Sequence, residues 1–400
     1  MQSELKQDMS MKHLVIRNFG PISEVDIILN RVNMILGPQS SGKSTVLKVA
    51  CFCDWIERQI EITQMPWQFC QREVIMDKLI RFHRMDGYMR DDTYILYEND
   101  SLWFSYSEKT RKCEFDWNKK KRWEYKRTKI AYIPAERNLL AAIPNWYQVT
   151  LGQDNILDFL KEWEFARKYY TKGAKILDMP FSYKYDPVSR LDRVVLANDT
   201  ELPLMNVSSG LQSITPLFIM ISYLTGLYFK NNQTKVEEYT MRENLLDTVK
   251  KELPKLSKEE QQKIVDGILK PYRTSLYIEE PESHIFPSTQ KQFVYALMSL
   301  LNGRPKHSCF IATHSPYIMT SLNNLILAAD KIAESKDKAA SVYERIENRQ
   351  SIRYEEVAAF EMKDGMIRSI MDAEFRMISA DALDKASEEI GEDYNFLLNL

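Results

Sequence analysis

One stretch constrains the fold of this chain more than any other: Gly37-Pro38-Gln39-Ser40-Ser41-Gly42-Lys43-Ser44-Thr45. It fits the phosphate-loop pattern of a glycine, four residues of any type, and then Gly-Lys-Ser/Thr. Such a loop needs a buried strand before it and a helix after it. Residues 32–36, Val-Asn-Met-Ile-Leu, are mostly apolar and predict a short buried strand, and residues 45–60 have the periodicity of an amphipathic helix. The alternative, a chance glycine-serine turn, is disfavoured because both flanks agree with a strand–loop–helix unit.

The residue types in this loop suit the phosphates of a nucleotide. Backbone N–H groups at a helix N-terminus have no partner within the helix and attract anions. Gly37 and Gly42 permit the tight turn and let the backbone approach phosphate oxygens. We expect Lys43 to reach the β- and γ-phosphates of ATP, and the Ser44 hydroxyl to ligate Mg²⁺. The other expected contacts in the loop are Gln39, Ser40, Ser41 and Thr45.

Length and composition limit the number of domains, the classes of partner and the cellular location that we expect. The 400 residues are enough for two or three domain-sized units, or for one α/β domain with insertions. A net charge of −2 gives no overall field toward nucleic acid or membranes. The five cysteines lack the paired spacing of a zinc site, and no signal-peptide pattern opens the sequence, so we expect reduced thiols and a cytoplasmic location. Polar residues and a proline interrupt the longest apolar run, residues 202–229, which predicts no membrane span.

The remaining sequence mixes strand and helix patterns. Strands are predicted at residues 13–19, 25–29, 94–97, 102–106, 113–117, 130–133, 190–204, 275–278, 308–312, 340–345 and 358–361. Helices are predicted at residues 154–170, 213–227, 286–301 and 380–397, over much of 55–90, and in two pieces within 231–270. Asp154 and Ser257 have the residue type and position of helix N-caps.

A basic segment with two aromatic residues runs from Lys119 to Arg127. One interpretation is contact with DNA or RNA, because cations bind the phosphate backbone and aromatic rings stack on bases. The alternative is a solvated turn before the strand at residues 130–133. We favour the turn, since charge runs are common in turns.

Three short patterns follow the phosphate loop. Asn206-Val207-Ser208-Ser209-Gly210 precedes a long apolar helix, one buried strand ends in Glu279-Glu280, and another ends in Thr313-His314. Each has a plainer explanation when taken singly: a helix cap, a solvated turn and a histidine without a catalytic role. Carboxylates at the ends of parallel strands lie at one sheet edge, beside the phosphate loop. Together and in this order, the patterns match the nucleotide-binding domain of ABC-type ATPases.

That resemblance implies a role for each pattern. Glu279 would hold Mg²⁺ as a Walker-B acid, and Glu280 would orient and deprotonate the attacking water. His314 would contact the γ-phosphate and sense its loss. The helix N-terminus formed by Ser208, Ser209 and Gly210 would close on the γ-phosphate bound by a partner protomer. The expected assembly is a homodimer or higher oligomer joined through ATP-bound heads.

The exact residues of the motifs point to one group within the ABC-type ATPases. Glu-Glu-Pro-Glu-Ser-His-Ile-Phe-Pro at 279–287 and Thr-His-Ser-Pro-Tyr at 313–317 resemble the OLD-like (overcoming lysogenisation defect) ABC ATPases of bacteria. Arg17-Asn18-Phe19-Gly20 and Tyr-Ile-Pro-Ala-Glu-Arg at 132–137 are also similar to that group. The fold implied is an α/β P-loop NTPase of ABC ATPase type, with a mixed central sheet, an antiparallel β subdomain and a helical lobe. Implied divisions are residues 1–137 and 272–400 for the ATPase lobe, and 138–271 for the helical lobe.

The sequence departs from the wider family at three points. Its signature reads Ser-Ser-Gly-Leu-Gln at 208–212, where transporters have Leu-Ser-Gly-Gly-Gln. No residue can be assigned as the usual Q-loop glutamine, and Arg137 is a candidate for the edge of the nucleotide. Too few residues follow Asp330 for the Toprim nuclease of some relatives, so a stand-alone ATPase subunit is expected.

The resemblance implies a sensor or regulator in bacterial anti-phage defence, acting on a separate effector such as a nuclease. Two alternatives remain open. One is a DNA-repair ATPase head of the SMC type, which the absence of sustained coiled-coil heptads disfavours. The other is the ATPase subunit of a transporter. It is disfavoured by the Ser-Ser-Gly-Leu-Gln sequence of the signature and by the charged residues 231–270.

Overall fold

The computed structural model describes residues 11–119, 121–230 and 236–379. The strands are β1 Lys12–Phe19, β2 Ile22–Leu29, β3 Val32–Leu36, β4 Met89–Glu98, β5 Leu102–Ser107, β6 Lys112–Trp117, β7 Thr128–Ile133, β8 Ala174–Lys175, β9 Phe181–Asp186, β10 Leu191–Leu196, β11 Glu201–Pro203, β12 Arg273–Glu279, β13 Ser308–Ala312, β14 Val357–Lys363, β15 Met366–Ser369, β16 Met371–Asp372 and β17 Met377–Ile378.

The α-helices are α1 Lys43–Thr63, α2 Pro66–Phe69, α3 Arg72–Ile75, α4 Leu139–Ala142, α5 Asn155–Ala166, α6 Ser209–Thr225, α7 Val236–Glu252, α8 Lys258–Leu269, α9 Pro287–Leu301, α10 Pro316–Glu334 and α11 Lys336–Tyr343. A π-helical turn, Met76–Arg81, continues α3, and a 3₁₀ turn, Ala135–Asn138, follows β7.

One eleven-stranded mixed sheet organises the described part of the chain, in the order β6-β5-β4-β1-β2-β15-β14-β3-β13-β12-β7. The strands β14, β3, β13, β12 and β7 are parallel neighbours. The strands β6, β5, β4, β1 and β2 form an antiparallel part. The carboxyl ends of parallel strands share one edge of a sheet. The residues that follow β3, β12, β13 and β7 therefore meet at that edge.

The parallel strands β3, β12, β13 and β14 are buried along most of their length because helices cover both faces of the sheet. In β3, Val32, Met34 and Leu36 point into a core shared with α5, α6, α9 and α10. Ile35, between them, points into a second core with α1 and the antiparallel strands. This alternation follows from the two-residue period of a strand. It holds the loop after β3 rigidly between the two cores.

The architecture confirms the predicted α/β fold class, with a mixed central sheet, antiparallel β structure and helices. Strands 32–36 and 308–312 have the predicted bounds. Both predicted helix caps form as well. Asp154 accepts hydrogen bonds from the N–H groups of Ile156 and Leu157, and Ser257 forms a reciprocal capping box with Glu260.

The predicted strand at residues 340–345 is wrong, since most of this stretch belongs to helix α11. The Ser335 side chain caps the helix by accepting a hydrogen bond from the Lys338 N–H at 3.2 Å. Most of its side chains are exposed, so no buried face favours a strand here. The predicted helix at 380–397 lies outside the described residues.

One helical stretch among the described residues, Ser209–Lys230, is long and apolar enough to cross a membrane by length and composition. Within this fold, 56% of its most apolar window is buried. It packs against β12, α5 and α9, with Leu217, Ile221 and Leu224 in the core. The apolar character of α6 is thus explained by its place beside the central sheet.

Candidate functional site

The loop between β3 and α1 has a backbone that only small or flexible residues adopt easily. Gly37 has a φ of 151°, Ser40 of 60° and Gly42 of 107°. A Cβ added at Gly37 would lie 2.2 Å from the carbonyl oxygen of Met362 on the neighbouring strand β14. Glycine is therefore required at this position both by the backbone angle and by the close approach of β14.

Lys43 lies folded into the loop at the first turn of α1. Its ammonium donates hydrogen bonds to the carbonyls of Gly37 at 2.9 Å and Pro38 at 2.6 Å, and the residue is 5% exposed. Burial lowers the pKa of Lys43 to about 8, against the opposing effect of the Glu280 and Glu282 carboxylates. The side chain thus places a positive charge where an anion in the loop would be bound.

The phosphate loop and two of the strand-end residues line one cleft of about 650 Å³. Of the predicted site residues, the cleft is lined by Gln39, Ser40, Gly42, Lys43, Ser44, Glu280 and His314. Gly37 and Ser41 shape the loop, and Thr45 is buried in the first turn of α1. Seven of the predicted site residues therefore share one cleft, two of them more than 200 residues away from the loop along the chain.

Glu279 ends β12 and is buried beside the loop, with 5% exposure. Its Oε2 accepts a hydrogen bond from the Ala135 N–H at 3.3 Å. Within the described part of the chain, Glu279 Oε1 and Ser41 Oγ are buried without a hydrogen-bond partner. Buried polar atoms are normally paired, and a carboxylate oxygen and a hydroxyl are groups that a bound cation or phosphate can pair.

The predicted metal ligands, Ser44 and Glu279, suit Mg²⁺ bound together with a nucleotide. Mg²⁺ is usually held by one or two protein groups, with phosphate oxygens and water as its other ligands. The described residues contain no group of three or more His, Cys, Asp or Glu side chains that could hold a metal. Ser44 and Glu279 therefore fit a shared protein–nucleotide metal site better than a site made by protein alone.

Glu280 adopts a left-handed backbone, with a φ of 41°, which is strained for a residue with a Cβ. Its N–H donates to the carbonyl of Ala312 at the end of β13, at 2.8 Å. Its Oε1 lies 3.6 Å from His314 Nε2, and its Oε2 accepts a hydrogen bond from Ser283 Oγ at 3.1 Å. The carboxylate is thus directed into the cleft, next to the predicted switch histidine.

The Ser208-Ser209-Gly210 motif occupies the N-terminus of α6, as predicted, but does not line the cleft. Both serines are exposed. A Cβ at Gly210 would lie 3.0 Å from the carbonyl oxygen of His284, so the helix start packs on the turn after β12. This placement leaves the serine hydroxyls and the first N–H groups of α6 facing outward.

Two residues of the cleft, Tyr88 and Arg90, have no motif that the sequence could reveal. They come to the loop because β1 and β4 pair antiparallel, with Phe19 opposite Met89. Arg90 Nη2 donates to the carbonyl of Gly20 at 2.6 Å. The ring of Tyr88 covers Gly20, where an added Cβ would lie 2.4 Å from the ring. The cleft therefore has an aromatic ring and a guanidinium group at the side contributed by the antiparallel strands.

The prediction that Arg137 contacts the nucleotide edge is wrong. Its side chain is 0% exposed and does not line the cleft. The guanidinium instead donates to the carbonyls of Glu279 at 2.9 Å and Glu280 at 2.8 Å. Arg137, at the end of the motif at 132–137, therefore holds the main chain behind the cleft and does not line the cleft itself.

In the basic segment Lys119–Arg127, Lys120 lies outside the described residues. Arg122 has a structural role, since its guanidinium lies between the rings of Trp117 and Trp123, at 4.4 and 4.8 Å from their centroids. It also pairs with Glu252 of α7 at 2.7 Å. Contact of the segment with DNA or RNA stays a prediction, for which Arg122 is not available.

We expect that reversing Lys119 and Lys121 to Glu preserves the fold, because both side chains are exposed and the ion pair of Lys121 with Asp100 that is lost lies at the surface. If the segment binds DNA or RNA, this double variant should bind more weakly. The slope of the logarithm of the binding constant against the logarithm of the salt concentration should also become shallower, by about one per lost phosphate contact. Filter binding at several salt concentrations measures both quantities. Unchanged affinity and slope would leave the solvated turn as the correct interpretation. Arg122→Glu is unsuitable for this test because it would destabilise the fold.

No family model matches the chain, and no curated protein sequence does. Solved structures with a similar overall arrangement include the SMC head domain from Thermotoga maritima, at 11% identity and a TM-score of 0.38, covering 90% of this chain and 98% of that one. They also include MJ1267, an ATP-binding cassette of an ABC transporter, at 11% identity and a TM-score of 0.34. That match covers 96% of this chain and 98% of MJ1267. A third is the recombination mediator protein RecF, at 13% identity and a TM-score of 0.29. That match covers 90% of this chain and 98% of the RecF chain. Similarities this low do not assign the chain to any of these groups.

Proposed function

We propose that this chain is an ABC-type ATPase that binds and hydrolyses ATP with Mg²⁺ at a composite site between head-to-tail protomers. One observation carries the proposal: the phosphate loop, Glu280 and His314 line a single cleft around Lys43. A phosphate-binding loop beside a carboxylate and a histidine has the groups that hydrolysis of a phosphoanhydride needs.

The residues of the cleft divide the chemistry among them. The N–H groups of the loop and the Lys43 ammonium bind the phosphates and offset their charge. Ser44 and Glu279 would hold Mg²⁺, which neutralises charge on the phosphate oxygens when it is bound. Glu280 orients the attacking water and accepts its proton at a carboxylate oxygen. His314, 3.6 Å from Glu280, would donate a hydrogen bond from its ring to the γ-phosphate.

The second half of the composite site is assigned to a partner protomer. The N-terminus of α6 offers unpaired N–H groups and two exposed serine hydroxyls, which suit a phosphate. In its own chain this helix start lies outside the cleft. A second copy, placed head to tail, could bring its Ser209 to the open face of the γ-phosphate.

The proposed biological role is that of a sensor or regulator in bacterial anti-phage defence, with a separate effector, for which a nuclease is the leading candidate. It is supported by the wording of the motifs at 279–287 and 313–317, which resembles the OLD-like group. Neighbouring genes test the role. An adjacent nuclease or reverse transcriptase would support it, whereas an adjacent permease would favour a transporter instead.

Ser209→Arg tests the composite site. The variant is made in a Glu280→Gln background, which should bind ATP without hydrolysing it. We expect it not to form the closed dimer when ATP and Mg²⁺ are added, because the arginine side chain occupies the space of the γ-phosphate bound by the partner. ATP affinity of the isolated head should stay close to that of the parent. Small-angle scattering or size-exclusion chromatography with and without ATP measures closure, and a fluorescent nucleotide measures affinity.

The matched control is Ser341→Arg, which adds the same side chain on the exposed face of α11. It should close with ATP as the parent does. The role of Ser209 in a partner's site is incorrect if Ser209→Arg loses ATP affinity as strongly as Lys43→Ala. It is also incorrect if an enforced monomer hydrolyses ATP at the full rate.

A further inference from the structure

Arg137 is a fully buried cation directly behind the two glutamates of the cleft. It lies in the turn Ala135–Asn138, which follows β7, the parallel neighbour of β12. Its guanidinium donates three hydrogen bonds to main-chain carbonyls: Pro134 at 3.3 Å, Glu279 at 2.9 Å and Glu280 at 2.8 Å. These bonds tie the end of β7 to the end of β12 at the edge of the sheet where the site lies.

A buried arginine needs a compensating environment, because removing a cation from water is unfavourable. Burial lowers the pKa of Arg137 to about 10, and the carboxylates of Glu282, Glu280, Glu279 and Glu136 oppose the decrease. The group is thus still charged at neutral pH. A planar guanidinium can reach two adjacent carbonyls at once, which a lysine ammonium on a flexible chain does less well.

The carbonyls that Arg137 binds belong to residues whose exact orientation matters. Glu280 has the strained φ of 41°, and such a conformation persists only where the surroundings hold it. Its N–H is held by the Ala312 carbonyl, and its own carbonyl is held by Arg137. Both peptide groups of the residue are therefore restrained, and its side chain is directed at the cleft.

We propose that Arg137 is a positioning residue for ATP hydrolysis: by holding the main chain at the end of β12, it directs the Glu280 carboxylate at the attacking water. This inference rests on the proposed function, since it concerns the same site. Arg137 is fully buried and does not line the cleft, so it would act through the main chain of the glutamates. Its effect is on the rate of the chemical step, because small displacements of a catalytic group cost far more in rate than in binding.

Arg137→Lys tests the proposal. A lysine keeps the charge and much of the volume, but it cannot bridge both carbonyls with the same geometry. We expect kcat for ATP to fall by about tenfold to a hundredfold, with KM and the affinity for a fluorescent ATP analogue close to wild type. Rates are normalised to the folded fraction, measured by circular dichroism at the assay temperature. A selective loss of kcat supports the proposal.

Arg167→Lys is the matched control. Arg167 is also a buried arginine, 1% exposed, and it pairs with Asp192 at 3.1 Å in the region of the smaller sheet. Its substitution should lower thermal stability without changing kcat per folded molecule. If Arg137→Lys behaves in the same way, Arg137 has only a structural role and the proposal is overturned.

A double variant separates positioning from an independent effect. If Arg137 acts through Glu280, then Arg137→Lys combined with Glu280→Gln should be no slower than Glu280→Gln alone, because the group being positioned is already inactive. Multiplicative losses would overturn the proposal. Failure of the proposed function has a different result: Lys43→Ala would retain its ATP affinity, or the wild type would hydrolyse no ATP.

Discussion

Lys43→Ala should lose ATP affinity by about 10²-fold or more. Hydrogen bonds to a charged group contribute about 1.5–3 kcal/mol each, and every 1.4 kcal/mol is about tenfold in affinity. In the free protein the Lys43 ammonium is already inside the loop, bonded to the carbonyls of Gly37 and Pro38. Isothermal titration calorimetry with ATP and Mg²⁺ measures the change.

Lys48→Ala is the control for this variant, because Lys48 lies on the same helix and does not line the cleft. It should bind ATP like the wild type. Unchanged ATP affinity in Lys43→Ala would contradict the assignment of the phosphate loop.

The pH dependence of ATP binding gives a second measurement on Lys43. Burial lowers its pKa to about 8 from 10.5, so the free protein loses this charge as the pH rises through about 8. Since binding requires the charged form, affinity should be greatest below about pH 8 and should fall above it, by up to about tenfold per pH unit. Lys43→Ala should lack this component. A wild-type affinity that is constant from pH 7 to 9.5 would contradict the lowered pKa of Lys43.

Glu280→Gln should bind ATP but hydrolyse it about 10²–10⁴-fold more slowly, the usual loss when a general base is removed. The amide keeps the size and the hydrogen bond from Ser283, yet it cannot take the proton of the attacking water. Single-turnover hydrolysis and ATP binding should therefore separate: the rate falls while affinity remains near wild type. With ATP and Mg²⁺ the variant should also collect in the closed dimer.

Glu259→Gln, on the exposed surface of α8, is the matched control and should hydrolyse ATP normally. Wild-type turnover in Glu280→Gln would place the base elsewhere, and His314 would be the next candidate because it is 3.6 Å from the same carboxylate.

Local sequence patterns predicted the elements that hold the site more reliably than those that surround it. The strands at 32–36 and 308–312 are buried at every position and mostly apolar, so their bounds could be predicted directly. The stretch 340–345 was predicted incorrectly because it is mostly exposed, and there the N-cap of Ser335 decides the structure rather than apolar periodicity.

The sequence by itself determined the phosphate loop, because Gly37, Gly42 and Lys43 act through local backbone geometry and the N-terminus of the helix that follows. It also predicted Glu280 and His314, since strand ends in a parallel sheet share one edge. Only the tertiary structure placed Tyr88 beside the loop, through the pairing of β4 with β1. It also decided that Arg137 lies beneath the glutamates rather than in the cleft. The physical reason is that burial and hydrogen bonding between distant segments depend on how the strands and helices pack, which no local pattern of residues encodes.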